Sequence, residues 1–457
     1  MADQSSTSEL EKKLLLILRE RLTTQLVTSL QVCAHCGLCA ESCPYFLALD
    51  KDPRMSPVYK ADRLRKWHKR RVDWLGRVLP GWVGARDLDE KLLEEWFDLA
   101  FGACTLCARC TYNCPFGVDI PLILRTARGI LVELGRVPKG LQDTVDVHLQ
   151  TRNNMGVSDE DFRETVDWLN EELQAELGTD DVLIPLDKQG ARAMYLVNPR
   201  EVKFYPLTLM AAAKIMYAAG ADWTLSTAYW DVTNYALFSG DDEAARTIAG
   251  WAEEAAKALG VEEVWMSECG HGFNALRWGG ENWLGHRFPF RVRGFVEVMA
   301  EFLQEGRITL DPTRNTKRVT YHDPCNQCRK GGIVDEPRYI LARTVMDFVE
   351  MEPHGKENYC CGGGGGMLSM TEFSSRRLQV GRVKAEQIRA TGAQIVATSC
   401  HNCLDQLAEL SRHYKLGVEV KNLCELVADA LVFEPKPSEE EQPSPEGAAT
   451  PEAEKAR

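Results

Sequence analysis

The sequence contains no uninterrupted apolar run of about 18 residues, so no helix in it is expected to span a bilayer. It also lacks a basic excess. Lys+Arg is 54 against 67 Asp+Glu, a net charge of −13, which argues against a general nucleic-acid binder. No G-x-G-x-x-G follows a strand-like run, so any flavin would lie in a partner. The apolar segment Leu14–Leu18 is too short for a signal-peptide core, and Asp3 and Glu9 precede it. A cytoplasmic chain is therefore expected. Cysteine, by contrast, is plentiful, with 16 in 457 residues. In a reducing compartment that points to metal or redox chemistry rather than disulfides. The 44% hydrophobic and 26% charged content is ordinarily globular, and the length suggests about two or three domains.

The chain divides into five stretches. Residues 1–24 form an expected N-terminal helix, with Leu10, Leu14 and Leu18 on one stripe. Residues 25–145 carry two dense cysteine clusters. Residues 146–185 are acidic and read as a helical connector. Residues 186–433 have an α/β pattern. Residues 434–457 hold five prolines and seven glutamates and no large apolar residue, a composition that cannot offset its ordering entropy, so a disordered tail is expected. Charge is uneven: residues 51–77 contain ten Lys/Arg against three Asp. Its core, Lys60–Arg71, reads either as a solvated helix face or as a docking site for an acidic partner or anionic membrane.

Residues 186–433 contain a weak repeat. Ala193–Val197 and Val261–Met266 read as strands enclosing helices over 207–217 and 241–260. The order recurs with strands at Arg318–His322 and Ile395–Thr398 enclosing helices over 337–349 and 374–390. Two such units suggest parallel strands with helical crossovers.

The strongest motif is Cys33-Ala-His-Cys36-Gly-Leu-Cys39-Ala-Glu-Ser-Cys43-Pro44, repeated as Cys104-Thr-Leu-Cys107-Ala-Arg-Cys110-Thr-Tyr-Asn-Cys114-Pro115. This C-x2-C-x2-C-x3-C-P run is that of bacterial [4Fe–4S] ferredoxins, whose fourth cysteine serves the other cluster. Cys33, Cys36, Cys39 and Cys114 are assigned to one cubane cluster, and Cys104, Cys107, Cys110 and Cys43 to a second. Structural zinc ordinarily uses two C-x2-C pairs instead. Sixty residues separate Cys43 from Cys104, and helical patterns lie between them, so an all-α ferredoxin domain is expected.

A second constellation comprises Cys325 in His322-Asp323-Pro324-Cys325, the doublet Cys360-Cys361-Gly362, and Cys400-His401-Asn402-Cys403. Strand ends would bring these five thiols to one edge of a parallel sheet. The doublet suggests an irregular cluster or a bridging thiolate. Zinc and a phosphate cradle at Gly362–Gly366 are weaker readings, the latter because no Lys-Ser/Thr follows. Cys269 with His271 could face this site from the first repeat or be structural. Cys328 is a possible alternative ligand, Cys424 a core residue. His322, Asp323 and His401 are candidate proton donors.

These motifs resemble the CCG-domain family of D-type heterodisulfide reductase catalytic subunits, over roughly residues 25–430. The resemblance implies a multidomain α + α/β protein: an α-helical two-cluster ferredoxin domain followed by tandem α/β CCG repeats. It implies a noncubane [4Fe–4S] cluster on Cys325, Cys360, Cys361, Cys400 and Cys403, beside the two cubane clusters. The expected activity is disulfide reduction, or thiol oxidation, at that third cluster. The substrate would be a small thiol or disulfide, or a carrier protein. A membrane cytochrome b-type or other redox subunit would be the partner, placing the chain peripherally on the inner face of the membrane through Lys60–Arg71 or the N-terminal helix. This sequence departs from the family's fullest members. Its first repeat keeps only Cys269, and Leu237-Phe238-Ser239-Gly240 stands where a doublet would be. One noncubane cluster is expected, not two. Two other readings stand beside this one: a conduit subunit beside a flavoprotein 2-hydroxy-acid or glycerol-3-phosphate oxidoreductase, and a zinc-binding assembly scaffold.

Overall fold

A computed structural model describes the backbone of residues 2–433 and side chains from residue 12 onward. The expected tail, residues 434–457, and Leu10 of the N-terminal stripe lie outside this description.

The first part is helical. A helix at Ala2–Arg21 buries Leu14 and Leu18. Short helices at Leu38–Glu41 and Arg109–Tyr112 contain the third cysteine of each motif, Cys39 in one and Cys110 in the other. Longer helices at Pro57–Val72, Glu90–Phe97 and Ile120–Glu133 brace them. Their starts are set by side-chain caps. Ser56 accepts from Tyr59 N, Asp89 from Leu92 N and Asp119 from Leu122 N, each satisfying a backbone donor the helix cannot. Trp67 and Trp96 meet edge to face at 5.8 Å in the core between two of these helices.

Much of the basic stretch Lys60–Arg71 is used internally rather than as the solvated face or docking surface expected of it, Lys66 and Lys69 being partly exposed. Lys60, Arg63, Arg65 and His68 are buried. Lys60 Nζ donates to the Ala103 carbonyl at 2.6 Å, Arg63 pairs with Glu95, and Arg65 donates to the Leu30 carbonyl. Arg70 and Arg71 both pair with Asp87. A long basic side chain can be buried when each donor finds an acceptor, and sequence alone does not show those acceptors. The N-terminal helix is likewise used internally: Lys13 donates to the Glu133 carbonyl and Arg21 reaches Asp242.

The second part consists of two sheets of the same design. In the first, β1 (Ala193–Leu196), β2 (Trp223–Thr224), β3 (Glu263–Met266) and β4 (Arg291–Gly294) run parallel in the order β2-β1-β3-β4. A short strand, β5 (Thr309–Leu310), leads into the second sheet. There β6 (Arg318–His322), β7 (Asp347–Val349), β8 (Ile395–Thr398) and β9 (Glu419–Asn422) run parallel in the order β7-β6-β8-β9. A final strand, β10 (Leu431–Val432), pairs antiparallel with β5. The repeat is therefore four-stranded, not strand–helix–helix–strand. The expected helix over 337–349 is corrected to a helix at Asp335–Thr344 followed by β7. β-branched and aromatic residues at its end, Val345, Phe348 and Val349, favour the extended chain.

The segment between the two parts folds as helices at Lys139–Thr151 and Asp159–Leu177. They bury Val145, Phe162 and Leu169, and Phe162 stacks on Trp230 with centroids 4.5 Å apart.

Candidate metal centres

Thiols of the two ferredoxin motifs lie near one another. Cys33, Cys43 and Cys114 are the thiols that raise the pKa of Cys39, after its burial, which pushes it to about 11. Cys43, Cys104, Cys107 and Cys110 line one small enclosed cavity, with Pro44, Tyr45 and Lys60 around them. The positive φ of Gly37 and of Leu106 and Ala108 turns the loops tightly enough to aim successive thiols inward. Donor type and enclosure both suit iron–sulfur clusters.

The five later cysteines also meet. β6 ends at His322 and Cys325 follows; β8 ends at Thr398 and Cys400 follows. Cys360 and Cys361 arrive after β7. Cys325, Cys360, Cys361, Cys400 and Cys403 line a single enclosed pocket, with Phe238, Gly270, His271, His322 and Asn402. Cys361 Sγ and Cys403 Sγ are 3.6 Å apart. Hydrogen bonds from the Cys360 and Cys403 thiols hold Cys361 well below the ordinary thiol range, with His322 adding to them. The Cys403 thiol draws Cys400 down to about 7. Five soft, buried donors around one pocket fit a thiolate-bound iron cluster. Glycine makes the cradle possible. A Cβ on Gly365, whose φ is +68°, would stand 2.7 Å from Thr105 Cα, where the ferredoxin part presses on the loop.

The neighbours sort clearly. His322 hydrogen-bonds Cys361, and burial keeps its imidazole below its usual pKa. Asp323 is committed elsewhere, to Arg338 at 2.8 and 2.9 Å and to Gly355 N at 2.7 Å. His401 faces away from the pocket toward Glu201, 2.9 Å distant. Cys328 is buried outside the pocket lining, and burial pushes its thiol to about 12. Cys424 is core, near Glu268.

The first repeat contributes walls. Cys269 Sγ lies 3.3 Å from His271 Nδ1, and His271 approaches Asn402 at the same distance. Tyr235 donates to the Asn402 side-chain oxygen at 3.0 Å. Cys269-Gly270-His271-Gly272 occupies in the first repeat the place of Cys400-His401-Asn402-Cys403 in the second. Its fourth position cannot carry a thiol, because a Cβ on Gly272 would stand 1.9 Å from the Val232 carbonyl oxygen.

Several residues that the sequence did not mark prove central. Thr105 Oγ1 is 3.4 Å from Cys360 Sγ, and the Cys107 and Cys360 thiols act on one another's ionisation, so the two cysteine sets adjoin. Arg329 reaches the Cys107 carbonyl at 2.8 Å. Lys384 is fully buried near Cys361, donates to Asn358 Oδ1, and is pushed to about 7 by burial. Thr105 lies inside the second ferredoxin motif but between its ligands, and Arg329 and Lys384 sit in no recognisable local pattern.

Residues 29–118 match the 4Fe-4S dicluster domain family and residues 319–408 the cysteine-rich CCG domain family. The chain is 27% identical to the Hdr-like menaquinol oxidoreductase iron-sulfur subunit 2 of Archaeoglobus fulgidus, covering 88% of this chain and 80% of that protein. It is 27% identical to the D-type subunit of the dihydromethanophenazine:CoB–CoM heterodisulfide reductase of Methanosarcina mazei, over 91% of this chain and 98% of that protein. It is 23% identical to the EtfAB:quinone oxidoreductase of Syntrophomonas wolfei, over 83% of this chain and 55% of that protein. The chain thus matches a 4Fe-4S dicluster model and a CCG model and is similar over most of its length to iron–sulfur subunits of heterodisulfide-reductase-like oxidoreductases.

Proposed function

We propose that this chain reduces a disulfide, or oxidises thiols, at the pocket lined by Cys325, Cys360, Cys361, Cys400 and Cys403, drawing electrons through two cubane clusters. The observation that carries the reading is the contact of Cys107 and Thr105 with Cys360. A cluster on the Cys104/Cys107/Cys110/Cys43 set would adjoin the five-cysteine pocket and would supply it with one-electron chemistry, with Thr105 between them against Cys360. The Cys33/Cys36/Cys39/Cys114 set is then the outer relay. A noncubane [4Fe–4S] cluster on the five cysteines would supply one-electron redox chemistry and an iron site for sulfur. The chain's own residues do the rest. Arg329 and Lys384 offset negative charge on the thiolates, and His322 holds a proton at its ring beside Cys361. Phe238 and His271 form part of the pocket wall.

The test is metal content and EPR on anaerobically purified protein. Two cubanes require about 8 Fe per chain and a third four-iron cluster about 12. Iron near 12, with a paramagnetic species at oxidising potential that responds to added thiol, is the expected result. Iron near 8 with zinc, or no thiol response, would sink the disulfide reading. The similarity to EtfAB:quinone oxidoreductase favours a conduit beside a flavoprotein as the second reading, and that reading predicts no thiol response.

The chain has no helix, among the described residues, long and apolar enough to cross a membrane. Peripheral association is proposed instead through the two short helices Trp74–Val78 and Pro80–Val83. Trp74 is 69% and Trp82 78% exposed, with Val78 and Leu79 also exposed between them. Among the described residues Lys66, Lys69 and Arg77 pair with no carboxylate, so the flank is cationic. Exposed tryptophan beside unpaired cations suits the headgroup layer of an anionic bilayer. Co-sedimentation with phosphatidylglycerol vesicles should weaken about tenfold or more in the Trp74→Ser/Trp82→Ser double variant. Unchanged sedimentation would rule this surface out.

A further inference from the structure

The first repeat lacks the thiols of a metal site, yet it sends one polar side chain to the site of the second. His271 lines the five-cysteine pocket. In the matched motifs it is the counterpart of Asn402, and the two side chains meet at 3.3 Å. Its ring is clamped. Tyr235 meets it edge to face with centroids 4.7 Å apart, and the Phe238 ring lies 5.1 Å from it. His271 is buried, and its Nε2 has no hydrogen-bond partner among the described residues.

The groups behind the ring decide what Nε2 carries. Asp405 holds Arg200 through its Nε at 2.7 Å. A guanidinium can only donate, and Arg200 Nη1 donates to the Tyr235 oxygen at 3.4 Å. The Tyr235 proton is left for Asn402 Oδ1, 3.0 Å away. The Asn402 amide therefore turns Nδ2 toward His271, and Nδ1 of the ring accepts. The opposite amide orientation would aim two donors at the Tyr235 oxygen and leave its buried proton without an acceptor, which is costly.

Cys269 acts in the same sense. Burial holds its thiol protonated, and the sulfur lies 3.3 Å from Nδ1 as a second donor. Burial of His271, with Arg200 nearby, pulls its pKa down to about 3 and keeps the ring neutral. A neutral imidazole that accepts at Nδ1 carries its proton on Nε2. A buried N–H is costly until an acceptor is supplied, and the acceptors this pocket gathers are sulfurs.

We infer that His271 donates its Nε2–H to a sulfur of the cluster held by the five cysteines and so raises that cluster's reduction potential, with Arg200, Tyr235 and Asn402 fixing the tautomer. The degenerate repeat thus serves as a tuning arm for the complete one. A donor to sulfur stabilises the more negative, reduced state, which is how hydrogen bonds set iron–sulfur potentials. Tyr235 and Arg200 are positioning residues here. This rests on the reading that the five cysteines hold a cluster.

The experiment is an EPR-monitored redox titration of the intact, anaerobically purified chain, with iron counted in each variant. In His271→Phe the third cluster should become about tenfold harder to reduce, a fall of about 59 mV for a one-electron couple, while both cubane potentials stay in place. His271→Gln, which keeps an N–H near the same point, should restore most of the potential. Tyr235→Phe keeps the ring contact but frees the Asn402 amide, and should lower the potential in the same direction by about threefold. Should His271→Phe load no third cluster, Tyr235→Phe carries the test. An unchanged third-cluster potential in both variants overturns the assignment, as does an equal shift of all three clusters. A shift in His271→Phe alone keeps the donor and overturns the role of Tyr235. An unchanged resting potential with a weakened thiol response would put the donor on substrate sulfur instead, and also overturns it. The disulfide reading fails separately: a potential that follows His271 in a chain whose signal no thiol alters leaves the donor standing and that reading wrong. Iron near 8 in the wild type removes both.

Discussion

Cys361→Ser should lower iron from about 12 to about 8 per chain and abolish the thiol-responsive signal, leaving the two cubane signals in place. Cys361 is the node of the pocket: its thiol contacts Cys403 at 3.6 Å, and Cys360 and His322 also hydrogen-bond it. A serine hydroxyl is a harder and far less acidic donor, poorly matched to iron that thiolates hold well. The cubane ligands lie on separate loops, so the loss should be confined to one cluster. Cys328→Ser is the contrast. That thiol is as buried as the others, but it does not line the pocket, and burial pushes it to about 12. Its substitution should leave iron near 12. Iron analysis with EPR on both variants decides the matter. Unchanged iron in Cys361→Ser, or loss of four irons in Cys328→Ser, would show that the ligand set has been misread.

The cysteine motifs were legible because metal ligation constrains spacing within a few residues, and that constraint is local. The strands flanking the second site were legible for a related reason. Arg318–His322 and Ile395–Thr398 are rich in β-branched residues and end just before the residues that bear the thiols, and both are strands with those bounds. Short edge strands left weaker signals. Trp223–Thr224 and Arg291–Gly294 are too brief or too charged to announce themselves, and pairing with a neighbour makes them strands. The basic stretch at Lys60–Arg71 shows the opposite failure. Its composition reads as surface, yet its acceptors lie far along the chain, Leu30 by 35 residues and Ala103 by 43, and Glu95 sits on another helix. Tyr235 and Phe238 were illegible for the same reason: one tyrosine and one phenylalanine carry no pattern until the fold sets them against Asn402 and the cysteine pocket.

Arg128→Met should cost about 3–5 kcal/mol and loosen the junction on which electron delivery depends. Arg128 is completely buried in the helix Ile120–Glu133. Its guanidinium donates to four carbonyls: Ala100 at 2.9 Å, Phe238 at 2.6 Å, Gly365 at 2.8 Å and Cys104 at 2.7 Å. One side chain thus ties the second ferredoxin motif, Phe238 of the first repeat and the glycine loop of the second repeat. Burial, with the nearby Arg125 charge, pulls its pKa down to about 10, so it remains charged at neutral pH. Methionine fills much of the volume but leaves four carbonyls without a donor, at about 1–3 kcal/mol each. Relief of the guanidinium's own desolvation offsets part of that sum. The thermal midpoint should fall by about 3–5 °C. Arg128→Lys should recover only a fraction, because an ammonium cannot span four acceptors placed around a plane. Hydrogen exchange locates the effect. Amides near Thr105, Phe238 and Gly365 should lose protection together, while those near Cys33 and Cys36 keep theirs. If the three segments stay protected, Arg128 is not what holds Thr105 and Cys107 against Cys360, and apolar packing at Leu141 and Phe238 must carry the junction instead.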